Sequence, residues 1–181
     1  MQKQKILFHI CCAVCGVALL EKLMEKFEVI LFYYNPNIYP EQEYEKRKES
    51  VSRMAQIYGV KFFEGRYDTE NWMKIAEGKE NEPEGESRCY NCFEIRLEQS
   101  ALFAKENGIK IFTTSLFVSP FKDENQVNSV GIDIAKRNNI EYLPMEKIIE
   151  NKKDNWQKTR ELAKKYGFYF QKYCGCVFSL N

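Results

Sequence analysis

Residues 5–35 read KILFHICCAVCGVALLEKLMEKFEVILFYYN. "KILFHI" (5–10) is a short apolar run of strand length. "AVCGVALLEKLMEKF" (13–27) spaces its apolar residues at helical intervals with good helix formers between them, and "EVILFYYN" (28–35) is a second buried strand. Strand, helix and strand in about thirty residues predict two parallel strands joined by a crossover helix. At the junction of the first strand and the helix stand Cys11, Cys12 and Cys15.

The alternation continues outward from that unit. "YPEQEYEKRKESVSRMAQIYG" (39–59) is a charged amphipathic helix closed by Gly59, and "VKFFEG" (60–65) is a third strand. "TENWMKIAEGKE" (69–80) reads as a helix, "NEPEGES" (81–87) as a loop, "YNCFEIRLEQSALFAKENG" (90–108) as a helix and "IKIFTTSL" (109–116) as a fourth strand. After "SPFKDENQ" (119–126) come a helix to about Asn138, a strand "IEYLP" (140–144), a helix "KDNWQKTRELAKKYG" (153–167) and a tail. This order predicts an α/β fold, a single doubly wound domain over 1–181 with a mostly parallel sheet and helices on both faces. A chain of 181 residues can bury a real core, and no shift in composition marks a second domain.

Such folds gather ligands outside the carboxyl ends of their strands, near the point where strand order reverses. Cys11 and Cys12 follow the first strand, "YYNPN" the second, "RYD" the third and "TTSLFVSPFK" the fourth, so every unusual segment falls on one predicted edge. Apolar residues make up 44% and charged residues 29%, with Lys+Arg 27 against Asp+Glu 26. That near-neutral balance neither demands nor excludes a nucleic-acid partner. No run approaches the ~18 apolar residues of a membrane span, and "MQKQKILFHICC" is interrupted too soon for a signal peptide. A cytoplasmic chain without a membrane association is expected.

All seven cysteines fall into tight groups: Cys11, Cys12 and Cys15; Cys89 and Cys92; Cys174 and Cys176. In a reducing compartment such clusters point to metal or redox chemistry instead of disulfides, and an odd total cannot be fully paired. "RCYNC" (88–92) opens a helix, whose N-terminal dipole favours thiolate, and Gly175 gives the tail latitude to turn two thiolates toward one site. The three groups are expected to converge. A closed zinc site needs four ligands, and seven thiols exceed that. Four can hold a [4Fe–4S] cluster with three left for a second metal. Spacing alone leaves cubane, zinc and a metal-free dithiol relay all open.

Five segments together carry a resemblance: "HICCAVC" (9–15), "FYYNPNIYPEQEYEKR" (32–47), "EPEGESRCYNCFEIRL" (82–97), "FTTSLFVSPFK" (112–122) and "YCGCVFS" (173–179). In matching order and across essentially the whole chain, the sequence resembles the QueH family of epoxyqueuosine reductases. The resemblance implies a [4Fe–4S] cluster with an adjacent mononuclear metal, expected to be iron. It also implies reduction of the cyclopentane epoxide of epoxyqueuosine in tRNA to an alkene, the last step of queuosine modification. The partners implied are tRNA carrying epoxyqueuosine and an external electron donor. Removing the epoxide oxygen takes two electrons, whereas a cubane passes one at a time, so a second metal gives a reason for more than four cysteines. Since each C-x-x-C can chelate, Cys12, Cys15, Cys89 and Cys92 are assigned to the cluster, leaving Cys11, Cys174 and Cys176 near the second metal.

Around the metals, Tyr34, Asn35 and Asn37 are candidates to hydrogen-bond the substrate. Asn-Pro-Asn is also ordinary turn chemistry, and it is the resemblance that favours a substrate role. Asp68 is a candidate proton carrier or metal ligand, with helix N-capping as its structural alternative. Arg88, Ser119 and Lys122 are candidates for phosphate or base contacts, Arg47 follows "EYEKR" toward the site, and Tyr173 is a candidate proton donor. His9, the sole histidine, reads as a satisfied core group. The aromatic run "YGFYFQKYC" (166–174) can stack on a base or cover a core. No Gly-rich phosphate loop follows the first strand, which argues against the ATP-using relatives of this architecture. A cluster-dependent tRNA sulfur-transfer enzyme and a non-catalytic zinc-binding module remain the rival readings.

Overall fold

In the computed structural model, which describes residues 3–119 and 122–180, five strands form one sheet. Pro120 and Phe121 of the "SPFK" motif lie outside the described residues. The strands are β1 (Gln4–His9), β2 (Phe27–Tyr33), β3 (Lys61–Glu64), β4 (Ile111–Thr114) and β5 (Glu141–Tyr142). They run in the order β3-β2-β1-β4-β5, and every pair is parallel. A strand covered on both faces reads as a continuous apolar run, and Ile6, Leu7 and Phe8 of β1 are fully buried. Ile6 pairs with Val29 of β2, and on the other edge Leu7 pairs with Phe112 of β4.

Among the described residues six α-helices cover the sheet: α1 (Ala13–Lys26), α2 (Glu41–Tyr58), α3 (Thr69–Ala76), α4 (Ser87–Glu106), α5 (Glu124–Asn138) and α6 (Lys152–Tyr166). On one side α1 packs against α2 and α6, and on the other α4 packs against α3 and α5. The chain winds outward from β1 through β2 to β3, then returns across the sheet to β4 and β5. Strand order therefore reverses between β1 and β4, which places the ligand edge of the fold at their carboxyl ends.

Two elements differ from the sequence expectation in ways that matter for the site. α4 starts at Ser87 instead of Tyr90, so both Cys89 and Cys92 lie within its first two turns. β4 stops at Thr114 because Thr114 Oγ1 accepts the N–H of Leu116 (3.1 Å), which turns the chain into a 3-10 helix over Leu116–Val118. α3 also ends early, at Ala76 instead of residue 80, just before Gly78 with its φ of 77°.

His9 ends β1 inside the core. Its Nε2 donates to Tyr34 O (3.1 Å), which leaves Nδ1 to accept from Thr114 Oγ1 (2.8 Å). Burial first, and then the nearby Arg96 guanidinium, push its pKa down to about 3, so the ring is a neutral strut between β1, β4 and the loop after β2.

Gly16 shows how closely α1 sits on β1: a Cβ there would lie 2.3 Å from Ile10 Cδ1 and 3.0 Å from its Cγ1. Alanine in a helix interior gains up to about 1 kcal/mol in propensity. Overpacking against fully buried Ile10 costs about 1–3 kcal/mol and outweighs it. Gly16→Ala is therefore expected to lower the unfolding free energy by up to about 2 kcal/mol. Urea denaturation checks this, and an unchanged or raised midpoint would show that α1 can shift freely.

Candidate metal centre

The end of β1 and the start of α1 form the first wall. Cys12 is the N-cap of α1, its backbone extended and its Sγ accepting the N–H of Cys15 at 3.3 Å. A thiol therefore stands where Ser or Asp ordinarily caps. Cys11 is fixed from the residue after β4: its N–H donates to Ser115 Oγ (3.1 Å), and the Ser115 hydroxyl donates to Cys11 Sγ (3.4 Å). The Sγ atoms of Cys11, Cys12 and Cys15 all lie within 4.8 Å of one another, those of Cys11 and Cys12 at 3.8 Å. A tetrahedral metal–thiolate site, with bonds of about 2.3 Å, separates its sulfurs by about 3.8 Å. The donor set and its spacing thus fit a thiolate-bound metal.

The second wall is α4. Cys89 Sγ accepts the N–H of Gly85 (3.3 Å), and Cys92 is buried in an apolar pocket with Trp72, Ala76 and Cys176. The third wall is the tail, which clips onto α2 and the loop after β2. Ile38 and Cys176 form an antiparallel bridge, and the Tyr39 N–H donates to Gly175 O (2.8 Å). Arg47 donates from Nη1 to Cys174 O (2.9 Å) and from Nη2 to Tyr173 O (3.0 Å). Gly175 is required twice over, by its φ of 108° and because a Cβ would stand 2.8 Å from Arg47 Nη1.

The three walls enclose a cavity of about 400 Å³, lined by Cys11, Cys15, Cys89, Cys92, Cys174 and Cys176, with Cys12 immediately behind. Arg47, Arg88, Ser119, Lys122 and Tyr173 also line it. Four other candidates stand elsewhere. Asp68 caps α3, accepting the Asn71 N–H (3.2 Å), and does not reach the cavity wall. Tyr34, Asn35 and Asn37 are buried beneath the wall. Tyr34 stacks on Phe32 and gives its carbonyl to His9, while Asn35 Nδ2 holds Ile10 O (3.0 Å). Asn35 is thus spent between the Ile10 carbonyl and the Arg96 guanidinium, whose N–H its Oδ1 accepts, while Asn37 Oδ1 is buried without a hydrogen-bond partner among the described residues.

Three residues beside the sulfurs carried no signal in the sequence. Gln171 Nε2 donates to Cys12 Sγ (3.0 Å) and reaches Cys15 Sγ (3.5 Å), Arg96 Nη1 donates to Cys92 Sγ (3.7 Å), and Trp72 packs on Cys92 and Cys176. Only the Arg96 position, one turn after Cys92, was open to helical spacing.

Without metal the thiols are held apart in charge. Hydrogen bonds from Cys12 and Cys15 hold Cys11 well below the usual thiol range, against its burial, helped by Lys122 and Arg96. Burial pushes Cys12 and Cys92 up to about 12 and Cys176 up to about 11. Most of these groups enter a metal site only by losing a proton, so loading is expected to release protons and to tighten as pH rises from 6 to 8. Titration of the metal-free protein with ferrous iron in weakly buffered solution checks this. Uptake without proton release would mean that the buried thiols are not the ligands.

Among the described residues, no helix is long and apolar enough to cross a membrane. A solved structure described as a predicted subunit of tRNA methyltransferase from Methanocaldococcus jannaschii shares the fold, with a TM-score of 0.54 at 15% identity over 97% of this chain and 98% of that one. An epoxyqueuosine reductase QueH of Acinetobacter baylyi is 42% identical over 98% of this chain and 81% of its own length. The one from Thermotoga maritima is 34% identical over 97% of this chain and 90% of its own length. The family model for epoxyqueuosine reductase QueH matches residues 6–181. With that match and those relatives, the chain belongs to the epoxyqueuosine reductase QueH family.

Proposed function

We propose that this chain, folded as one domain over 1–181 and acting in the cytoplasm, reduces epoxyqueuosine in tRNA to queuosine. The observation that carries the proposal is the meeting of all three cysteine groups at one cavity on the β1–β4 edge. A zinc-binding module would use four thiols, and the cavity gathers more. In the reaction both carbon–oxygen bonds of the epoxide break, two electrons and two protons enter, and an alkene and water leave. A [4Fe–4S] cluster and an adjacent iron, held by the seven cysteines, would supply the electrons, drawn from an external donor, and Lewis acidity at the oxygen. Cys12, Cys15, Cys89 and Cys92 are proposed for the cluster and Cys11, Cys174 and Cys176 for the second metal, an assignment under which the Cys11 and Cys12 sulfurs, 3.8 Å apart before loading, turn to different metals.

The protein's own residues do the binding and the proton work. The cavity volume falls within the range of small-ligand sites and would be shared between the metals and the modified base. Phe170 lines it yet remains 47% exposed, free to stack on a base at the mouth. Ser119 and Lys122 after β4, and Arg88 on α4, whose Nη1 also donates to Lys79 O (2.8 Å) and Glu80 O (3.0 Å), are the contacts proposed for ribose or phosphate around the same cavity. Tyr173 donates its hydroxyl to Tyr39 O, so proton delivery from Tyr173 requires that hydrogen bond to exchange for one with substrate.

Mass analysis of nucleosides from tRNA, after anaerobic incubation of the iron-loaded protein with a strong reductant, tests the proposal. Loss of one oxygen atom from epoxyqueuosine is expected. Persistence of the epoxide with a fully assembled centre would overturn it.

A further inference from the structure

Arg96 is 2% exposed and lies on α4 one turn beyond Cys92. Among the described residues it has no carboxylate partner. Its Nη2 donates to Asn35 Oδ1, its Nη1 to Cys92 Sγ at 3.7 Å, and its buried Nε meets no acceptor among the described residues. Asn35 is locked in that orientation because its own Nδ2 donates to Ile10 O. The partner offered is thus a neutral amide, fixed in place. Arg47, by contrast, carries its own carboxylate, Glu43, at 2.7 Å.

An arginine removed from water without a carboxylate partner is strongly disfavoured, so a buried guanidinium of this kind marks where other negative charge, here thiolate sulfur, belongs. Arg96 lines the cavity together with Cys92, Cys11 and Cys174, one from each cysteine group, and with Lys122 as a second cation. Thiolate-ligated iron–sulfur centres are anionic, and more so when reduced. A fixed cation beside one therefore favours the reduced form and raises the potential.

We propose that Arg96 is the counter-cation of the metal–thiolate centre, a positioning residue held by Asn35 that balances its charge and sets its reduction potential. This rests on the metal centre proposed above. The alternative is a plain strut between α4 and the loop after β2. Arg96→Met removes the charge, Arg96→Lys keeps it, and Asn35→Asp neutralises it in place by giving the guanidinium a carboxylate.

The test uses the full chain reconstituted anaerobically with iron and sulfide, with iron content, the midpoint potential from a spectroscopic redox titration, and thermal midpoints with and without metal. Arg96→Met and Asn35→Asp are expected to move the potential to more negative values, with Arg96→Lys near the wild type. Arg96→Met is also expected to melt no lower than the wild type without metal, but to gain less from loading. Wild-type potential in both Arg96→Met and Asn35→Asp would overturn the proposal. So would an equal loss of stability in the metal-free and loaded forms of Arg96→Met, since a strut acts in both. If Arg96→Met does not fold, Asn35→Asp against Arg96→Lys decides by the same shift in potential. A wild-type protein that assembles no redox-active centre would overturn the metal reading itself, and this one with it.

Discussion

Arg47→Ala is expected to lower stability by about 3–5 kcal/mol, the cost of leaving one member of a buried ion pair alone. Arg47 Nε sits 2.7 Å from Glu43 Oε1 with both side chains buried, and Tyr169 donates its hydroxyl to the other oxygen of Glu43 (2.7 Å). Without Arg47 the Glu43 carboxylate stays buried with no cation beside it. The same change also frees the carbonyls of Tyr173 and Cys174, which Arg47 holds. Tail and ligands therefore loosen together, and iron should be lost along with thermal stability. Thermal melting and the rate at which Cys174 and Cys176 react with a thiol reagent in the metal-free protein report the two effects separately. The double variant Glu43→Gln, Arg47→Met should recover part of the stability but not the slow thiol reaction. A single variant that melts lower yet keeps slow thiols and full iron would show that the Ile38–Cys176 bridge and the hydrogen bonds to Tyr39 anchor the tail without Arg47.

Cys92→Ala is expected to reduce turnover by more than about 100-fold, since even groups that only support a metal ligand are worth about 10–100-fold. It should do so without unfolding the chain. Cys92 packs among Trp72, Ala76 and Cys176, and alanine keeps that pocket apolar at the loss of one sulfur atom. Iron and sulfide content should fall in parallel with conversion of epoxyqueuosine. A folded Cys92→Ala protein with wild-type iron, sulfide and turnover would remove α4 from the centre.

The fold was legible because its strands are buried on both faces. Runs such as "KILFHI" and "EVILFYYN" leave little room for another period, and the amphipathic helices between them alternate without interruption. Boundaries slipped where polar side chains took over backbone duties, as when Thr114 Oγ1 captured the Leu116 N–H and ended β4. Cysteines announce themselves by clustering, so all three walls of the cavity could be named in advance. Asp68 and Asn35 illustrate what could not: one carboxylate caps a helix and one amide orients a guanidinium, and neither duty differs in sequence from contact with a substrate. Gln171 was hidden for a different reason. Its nearest sulfur belongs to Cys12, 159 positions away, and only the folded tail brings them to 3.0 Å.

Whether the three cysteine groups share one metal centre is decided by anomalous diffraction at the iron edge, from crystals grown anaerobically. The expected result is iron density within the cavity, at both a cluster and a separate single site, bonded to sulfurs drawn from the Cys11, Cys89 and Cys174 groups alike. A lone zinc, or iron held by one group while the others stand free, would contradict it.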